Sequence, residues 1–265
     1  MLFRSIQERV QKESRSGVIS MIKAAVLGSP IRHSLSPALH ARAYEILGIH
    51  GDYQAIEVTE DQLGRFLSGE GLSFDGLSLT MPLKERALQY CAQLSDDVRT
   101  LGALNTLVAK DGSWSGSNTD VLGFELLLKS AQKSDVAILG AGGTARAALL
   151  ACTRLELTPT IYRRNHLRDD SIRLTSPNVV IRDWHDLSGA LQSSILINAT
   201  PQGAIVIDQR VESSMVLDSL YHPWPTYLST KIDPSSKYIS GIDLLAAQAT
   251  FQVELMRSEE HTSEL

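Results

Sequence analysis

The chain has 265 residues, 43% hydrophobic and 21% charged, an ordinary composition for a globular protein of one large domain or two modest ones. Its formal net charge of −5 gives no electrostatic reason to expect nucleic acid or an anionic membrane as partner, and no apolar run approaches the about 20 residues that span a bilayer. Cys91 and Cys152 stand apart, with no CxxC or Cys/His cluster. They are expected to be buried thiols in a reducing cytoplasm, and neither a disulfide nor a metal site is expected.

The two ends do not match the rest. Residues 257–265 break the apolar pattern of Phe251, Val253, Leu255 and Met256, and match the translation of a common sequencing adapter. Leu2-Phe3-Arg4-Ser5 matches the adapter of the opposite end. Residues 1–20 and 257–265 are therefore expected to be non-native extensions, with Met21 as the natural start. The first twenty residues carry Glu8 and Glu13 and lack the apolar core of a signal peptide.

In chain order, Ala24–Leu27 reads as a strand closed by the turn Gly28-Ser29-Pro30. Ser36 is placed as N-cap and Pro37 in the first turn of a helix running to Gly48. Residues 53–58 alternate as a strand, Asp61–Leu67 suits a short helix, and Gly76–Thr80 a further strand. Pro82 opens a helical stretch to about Cys91. Asn105–Ala109 and Ser113–Gly116 form a hairpin about Asp111-Gly112. A helix over Val121–Ala131 links two halves. Then come strand 136–139, helix 144–154, strands 159–162, 179–181, 195–198 and 215–218, and a closing helix over Gly241–Met256. Strands interleaved with helices predict an α/β fold with mainly parallel sheets.

Gly140-x-Gly142-x-x-Ala145 lies between the strand at 136–139 and the next helix. In that context it reads as a dinucleotide-binding turn, with glycine allowing backbone approach to a pyrophosphate at a helix N-terminus. About twenty residues on, where an NAD enzyme usually carries a carboxylate for the ribose, stand Tyr162-Arg163-Arg164-Asn165 and then Arg168. This favours NADP(H), whose ribose phosphate guanidinium groups can pair with. Ser34 and Ser36 place two hydroxyls near the first helix start, where they could hold a substrate carboxylate or simply cap the helix. Lys84 sits in the first turn of a helix, against the helix dipole, and Asp120 is a candidate acid–base partner for it.

Together these segments resemble the shikimate dehydrogenase family across nearly all of residues 22–256. The resemblance rests on Gly28-Ser29-Pro30 with His33-Ser34-x-Ser36-Pro37-x-x-His40, Gly76-x-Ser78-x-Thr80-x-Pro82-x-Lys84, Gly102-Ala103-x-Asn105-Thr106 and Asn118-Thr119-Asp120-x-x-Gly123. It continues through Gly140-Ala141-Gly142-Gly143, Asn198-Ala199-Thr200-Pro201-x-Gly203, Asp218-x-x-Tyr221-x-Pro223-x-x-Thr226 and Gly241-x-x-Leu244-Leu245-x-x-Gln248. It implies reversible reduction of 3-dehydroshikimate to shikimate with NADPH, by a monomer or homodimer. It also implies a substrate domain of residues 22–120 plus 241–256 and a Rossmann-like NADP-binding domain of 121–240.

By position, the resemblance implies that Ser34 and Ser36 bind the substrate carboxylate, with Tyr221 nearby. Thr80, Lys84, Asn105, Asp120 and Gln248 would meet the ring hydroxyls, with Lys84 and Asp120 as catalytic pair. Gly140, Ala141, Gly142, Gly143, Thr144, Arg163, Arg164, Arg168, Thr200 and Gly241 would hold the cofactor. Ser78-Leu79-Thr80 replaces a more usual Asn-Val-Thr, and Leu244 stands where methionine is usual beside the nicotinamide site. Family members generally continue past Met256 with another helical segment, which an adapter-derived tail would replace. A quinate/shikimate paralogue and an inactive NADP-binding protein or truncated fragment on the same fold remain as alternatives.

Overall fold

The structure is a computed structural model that describes residues 21–131 and 133–257; the expected extensions, apart from Arg257, lie outside these residues. In chain order the elements are β1 (Ile22–Gly28), α1 (Ser36–Leu47), β2 (Gly51–Glu57), α2 (Glu60–Ser68), β3 (Gly76–Leu79), α3 (Leu83–Arg86), β4 (Gln93–Leu94), α4 (Asp96–Leu101), β5 (Thr106–Lys110) and β6 (Ser113–Ser117). Next come α5 (Thr119–Leu128), β7 (Asp135–Leu139), α6 (Gly143–Arg154), β8 (Thr158–Arg163), α7 (Asp169–Thr175), β9 (Val180–Asp183), α8 (Leu187–Ala190), β10 (Ile195–Asn198), β11 (Met215–Asp218), β12 (Lys237–Ile239) and α9 (Gly241–Arg257).

The chain forms two compact units. Among the described residues, the first takes those up to Arg99, Ala103–Thr119 and those from Ala249 to Arg257; the second takes Thr100–Gly102 and Asp120–Gln248. Residues 241–248 thus pack in the second unit, where the sequence had grouped them with the first. Leu244 explains this: it is buried among Phe124, Leu128, Ile197 and Leu217 of the second core.

The first unit holds a six-stranded sheet in the order β2-β1-β3-β5-β6-β4, in which β5 alone runs against the others. Alternation along β1 feeds two cores. Ala25 and Leu27 face the cluster with Leu63 and Leu67 of α2. Ala24 and Val26 face the cluster with Tyr44 and Leu47 of α1 and Val253 and Met256 of α9. The expected hairpin is present, with Asp111 and Gly112 in left-handed conformations at its tip.

The second unit is all parallel, in the order β12-β11-β10-β7-β8-β9, a doubly wound sheet whose direction of winding reverses between β7 and β10. Val136 and Ile138 of β7 face α5 and α6, while Ala137 and Leu139 face the opposite core with Leu191 and Leu228. The expected α/β class with parallel sheets is observed, whereas β4, α4, α7, α8 and β12 were not anticipated. These are short pieces, the shortest strand being two residues, and too brief to develop a hydrophobic period.

The polar centre of the first unit's core is His40, fully buried and stacked on Tyr53 at 3.8 Å between ring centroids. Its Nδ1 donates to the Ser36 carbonyl at 2.9 Å, which leaves Nε2 unprotonated. Among the described residues Nε2 has no hydrogen-bond partner, and burial pulls the imidazole down to about 4. The unfolded chain takes up this proton near pH 6.5 while the folded state refuses it, so stability drops as pH falls from about 6.5 to about 4. At about 1.4 kcal/mol per pH unit, that window is worth up to about 3.5 kcal/mol. Urea unfolding as a function of pH should show this slope in the wild type, and His40→Gln should remove that share of it.

Candidate functional site

Because β5 alone is reversed, the start of β5 lies at the same end of the first sheet as the ends of β1, β3 and β6. Ser34 and Ser36 follow β1, Thr80 and Lys84 follow β3, Asn105 immediately precedes β5, and Asn118 and Thr119 follow β6. One sheet end therefore gathers five of the residues expected to meet substrate. Ligands of open α/β sheets bind at that end.

Backbone hydrogen bonds tie this end together. The Thr80 N–H donates to the Leu27 carbonyl (2.9 Å), Leu79 to Asn105 (2.8 Å) and Asn105 to Ser117 (3.1 Å). The buried Asn105 side chain adds a local lock. Its Oδ1 accepts from the Thr119 N–H (2.8 Å) and the Thr106 hydroxyl (2.9 Å), and its Nδ2 donates to the Thr119 hydroxyl (3.0 Å). Asn118 Nδ2 donates to the Ala103 carbonyl (2.9 Å), and Gln252 Nε2 to the Asn105 carbonyl (3.2 Å).

Ser36 is not the N-cap expected for α1. Leu35 holds that position in a helix-like conformation, and the Ser36 N–H is met instead by the Ser34 hydroxyl at 3.3 Å. Lys84 is half-buried in α3, whose N-cap is Pro82, and its carbonyl accepts from the Leu104 N–H at 2.9 Å. Ser78, the departure from the usual asparagine, accepts from the Tyr53 hydroxyl at 2.6 Å and so belongs to the core beneath the site.

Asp120, Tyr221 and Gln248 belong to the second unit. Asp120 is buried in the first turn of α5. Gln248 lies alongside that helix, since a Cβ added to Gly123 would come within 3.1 Å of the Gln248 Cβ. Tyr221 is half-buried in the loop after β11.

The glycine turn occupies the point where the second sheet reverses its winding. Gly140 has φ +119, and a Cβ there would lie 2.8 Å from the Ala199 carbonyl oxygen, so only glycine suits it. Gly142 differs, because nothing lies within 4 Å of its missing Cβ. Ala141, Gly143 and Thr144 complete the turn and the start of α6, leaving an open, glycine-walled helix N-terminus. An anionic pyrophosphate fits that arrangement.

On the far side of β7, Thr200 gives its N–H (3.1 Å) and hydroxyl (2.7 Å) to Asn198 Oδ1, and Asn198 Nδ2 donates to Asp218 (2.8 Å). Asp218 also accepts from the Thr226 hydroxyl (2.6 Å) and the Leu220 N–H (3.1 Å). Burial pushes its carboxyl up, and these three donors oppose that push. Gly241 opens α9 against the carbonyls of Ser219 and Leu220, and Ser240 and Asp243 cap that helix reciprocally.

Arg163 departs from expectation. Its Nε and Nη2 bond both oxygens of Asp169 (2.8 and 3.0 Å), and its Nη1 reaches Asp183 (2.9 Å), so its guanidinium is occupied by carboxylates. Arg164 and Arg168 are exposed beside it. Cys91 and Cys152 are free thiols that burial raises to about 11 and about 12, and neither is reactive on that account. Among the described residues no cluster of three or more His, Cys, Asp or Glu could hold a metal ion, and no helix is long and apolar enough to cross a membrane. Arg146, a buried cation in the first turn of α6, is not among the residues expected from the sequence, although a basic residue there opposes the helix dipole just as Lys84 was expected to.

A doubly wound unit with its glycine turn at the switch point is a dinucleotide-binding unit, here joined to a mixed-sheet unit with a polar end. Residues 26–107 match the family described as shikimate dehydrogenase substrate binding domain. The chain is 33% identical over 235 residues to the shikimate dehydrogenase (NADP(+)) of Ignicoccus hospitalis, covering 84% of this chain and 88% of that one. It is 32% identical over 246 residues to that of Thermus thermophilus, covering 89% and 92%. Among solved structures, Mycobacterium tuberculosis shikimate dehydrogenase superposes with a TM-score of 0.80 at 32% identity, covering 89% of this chain and 94% of that one. The Thermus thermophilus enzyme in complex with NADP(H) and shikimate gives 0.79 at 31% identity, covering 90% and 94%. The chain belongs to the shikimate dehydrogenase family.

Asn105→Ala should leave the buried Thr119 N–H without its acceptor and cost about 1–3 kcal/mol of stability, read by urea denaturation at neutral pH.

Proposed function

We propose that this chain reduces 3-dehydroshikimate to shikimate with NADPH, and oxidises shikimate with NADP+ in reverse. The observation that carries this reading is the set Ser34, Ser36, Thr80, Lys84 and Asn105 at one sheet end, all within the matched segment described as substrate binding. Named relatives that use NADP(+), and a Thermus thermophilus structure holding both NADP(H) and shikimate, support the same substrate and cofactor.

The hydroxyls of Ser34 and Ser36 are assigned to the substrate carboxylate, with Tyr221 as a further contact. Thr80, Asn105 and Gln248 read the ring hydroxyls. Fixed polar groups of this kind select against deoxy analogues, which leave them unpaired. Lys84 holds positive charge beside the carbonyl oxygen as it becomes an alkoxide, and supplies the proton that completes the alcohol. Asp120 has the complementary acid–base role. In the second unit Gly140–Thr144 would hold the pyrophosphate, Arg164 and Arg168 the ribose phosphate, and Thr200 and Gly241 the remainder of NADP(H). The bound nicotinamide supplies the hydride. Arg163, tied to Asp169 and Asp183, serves to shape the basic loop. We further take the protein to act in the cytoplasm, as a monomer or homodimer; its free thiols, Cys152 buried and Cys91 half-buried, are consistent with a reducing compartment.

Initial rates with shikimate and quinate, each paired with NADP+ and NAD+, test the reading. Shikimate with NADP+ should be fastest; quinate with NAD+ as the fastest pair would overturn it in favour of the quinate/shikimate alternative. Lys84→Ala should lower turnover about 10²–10⁴-fold with a modest loss of substrate affinity, and near-normal turnover would remove Lys84 from its role.

A further inference from the structure

Arg146 lies in the first turn of α6 with only 2% of its surface exposed. A cation is disfavoured there by both burial and the helix dipole, so its position needs a compensating set of partners. Three carbonyls supply it. Nε donates to Leu101 at 2.7 Å, Nη1 to Ala141 at 3.1 Å and Nη2 to Gly102 at 3.5 Å. Gly102 is left-handed (φ +63) where α4 ends, so the guanidinium meets the negative end of one helix while it sits at the positive end of another.

The Ala141 contact has a direct stereochemical consequence. The Ala141–Gly142 peptide is trans, so a carbonyl drawn toward Arg146 turns the Gly142 N–H away from it. Gly142 is the N-cap of α6, and the space around its missing Cβ is open. The fork thus sets the orientation of one donor in the anion-binding turn and adds a fixed positive charge behind it.

We propose that Arg146 is a positioning residue for the pyrophosphate of the dinucleotide, acting through the Ala141–Gly142 peptide. This rests on the dinucleotide part of the functional reading. It assigns Arg146 to the segment common to NADP and NAD, and Arg164 and Arg168 to the segment that distinguishes them. A lysine at 146 keeps the charge but cannot span three carbonyls.

Calorimetric titration of the wild type, Arg146→Lys and Arg146→Gln with NADP+, NAD+ and adenosine 2′-monophosphate tests the proposal, with thermal unfolding of each protein alongside. Arg146→Lys should stay folded and weaken NADP+ and NAD+ alike by about tenfold, with a larger loss for Arg146→Gln. Adenosine 2′-monophosphate has no pyrophosphate and should bind each folded variant as it binds the wild type. An equal loss for that fragment, or wild-type affinity of folded Arg146→Lys for both dinucleotides, would overturn the proposal. The readout is binding, so a wild type that binds dinucleotide yet fails to oxidise shikimate would refute the functional reading and leave this one standing. A wild type that binds neither dinucleotide would overturn both.

Discussion

The polar end of the first unit depends on the short row of hydrogen bonds joining Leu27 to Thr80, Leu79 to Asn105 and Asn105 to Ser117. Side chains that recognise a small polyhydroxylated ring must be held before it arrives, because ordering them on binding would consume the affinity they provide. Loops alone rarely supply such order. Here the loops begin within one residue of a hydrogen-bonded strand end, and the reversed β5 brings Asn105 into line with residues from parallel neighbours. Asn105 then extends the order from backbone to side chains by engaging Thr106 and Thr119.

The second unit meets the same demand with a different device. Its sheet is wholly parallel, so all strand ends that matter lie on one side without any reversal, and the switch between β7 and β10 opens the crevice. Buried polar groups fix the loops around it. Asp218 collects donors from Asn198, Leu220 and Thr226, which ties Thr200 to the loop bearing Tyr221. A buried carboxylate is tolerable only when its lone pairs are met, and three donors meet them. Arg146 is the cationic counterpart, with its fork spread over three carbonyls.

Features set by local periodicity and turn chemistry were mostly legible in the sequence. The alternation in β1, the Asp111-Gly112 hairpin and the strand–glycine–helix order about Gly140 could be read because each lies within a few residues of chain. The family signature then singled out Lys84, Asn105 and Asp120. Features that stayed hidden depend on partners distant in sequence. Arg163 reads as a phosphate ligand until Asp183, twenty residues later, comes beside it. Ser36 is a nearer case: it reads as a cap, but Leu35 takes the N-cap position and the Ser36 N–H itself donates to the Ser34 hydroxyl. The assignment of residues 241–248 was likewise decided by Leu244, whose neighbours come from α5, β10 and β11.

The central claim is that a preformed polar sheet end in the first unit chooses the substrate. The most direct measurement compares kcat/KM for shikimate with that for an analogue lacking one non-reacting ring hydroxyl, in the wild type and in Asn105→Ala. The wild type should discriminate by at least about 10²-fold for each such hydroxyl, and Asn105→Ala should narrow one of these ratios to roughly a tenth. Unchanged ratios in a folded Asn105→Ala protein would contradict the claim.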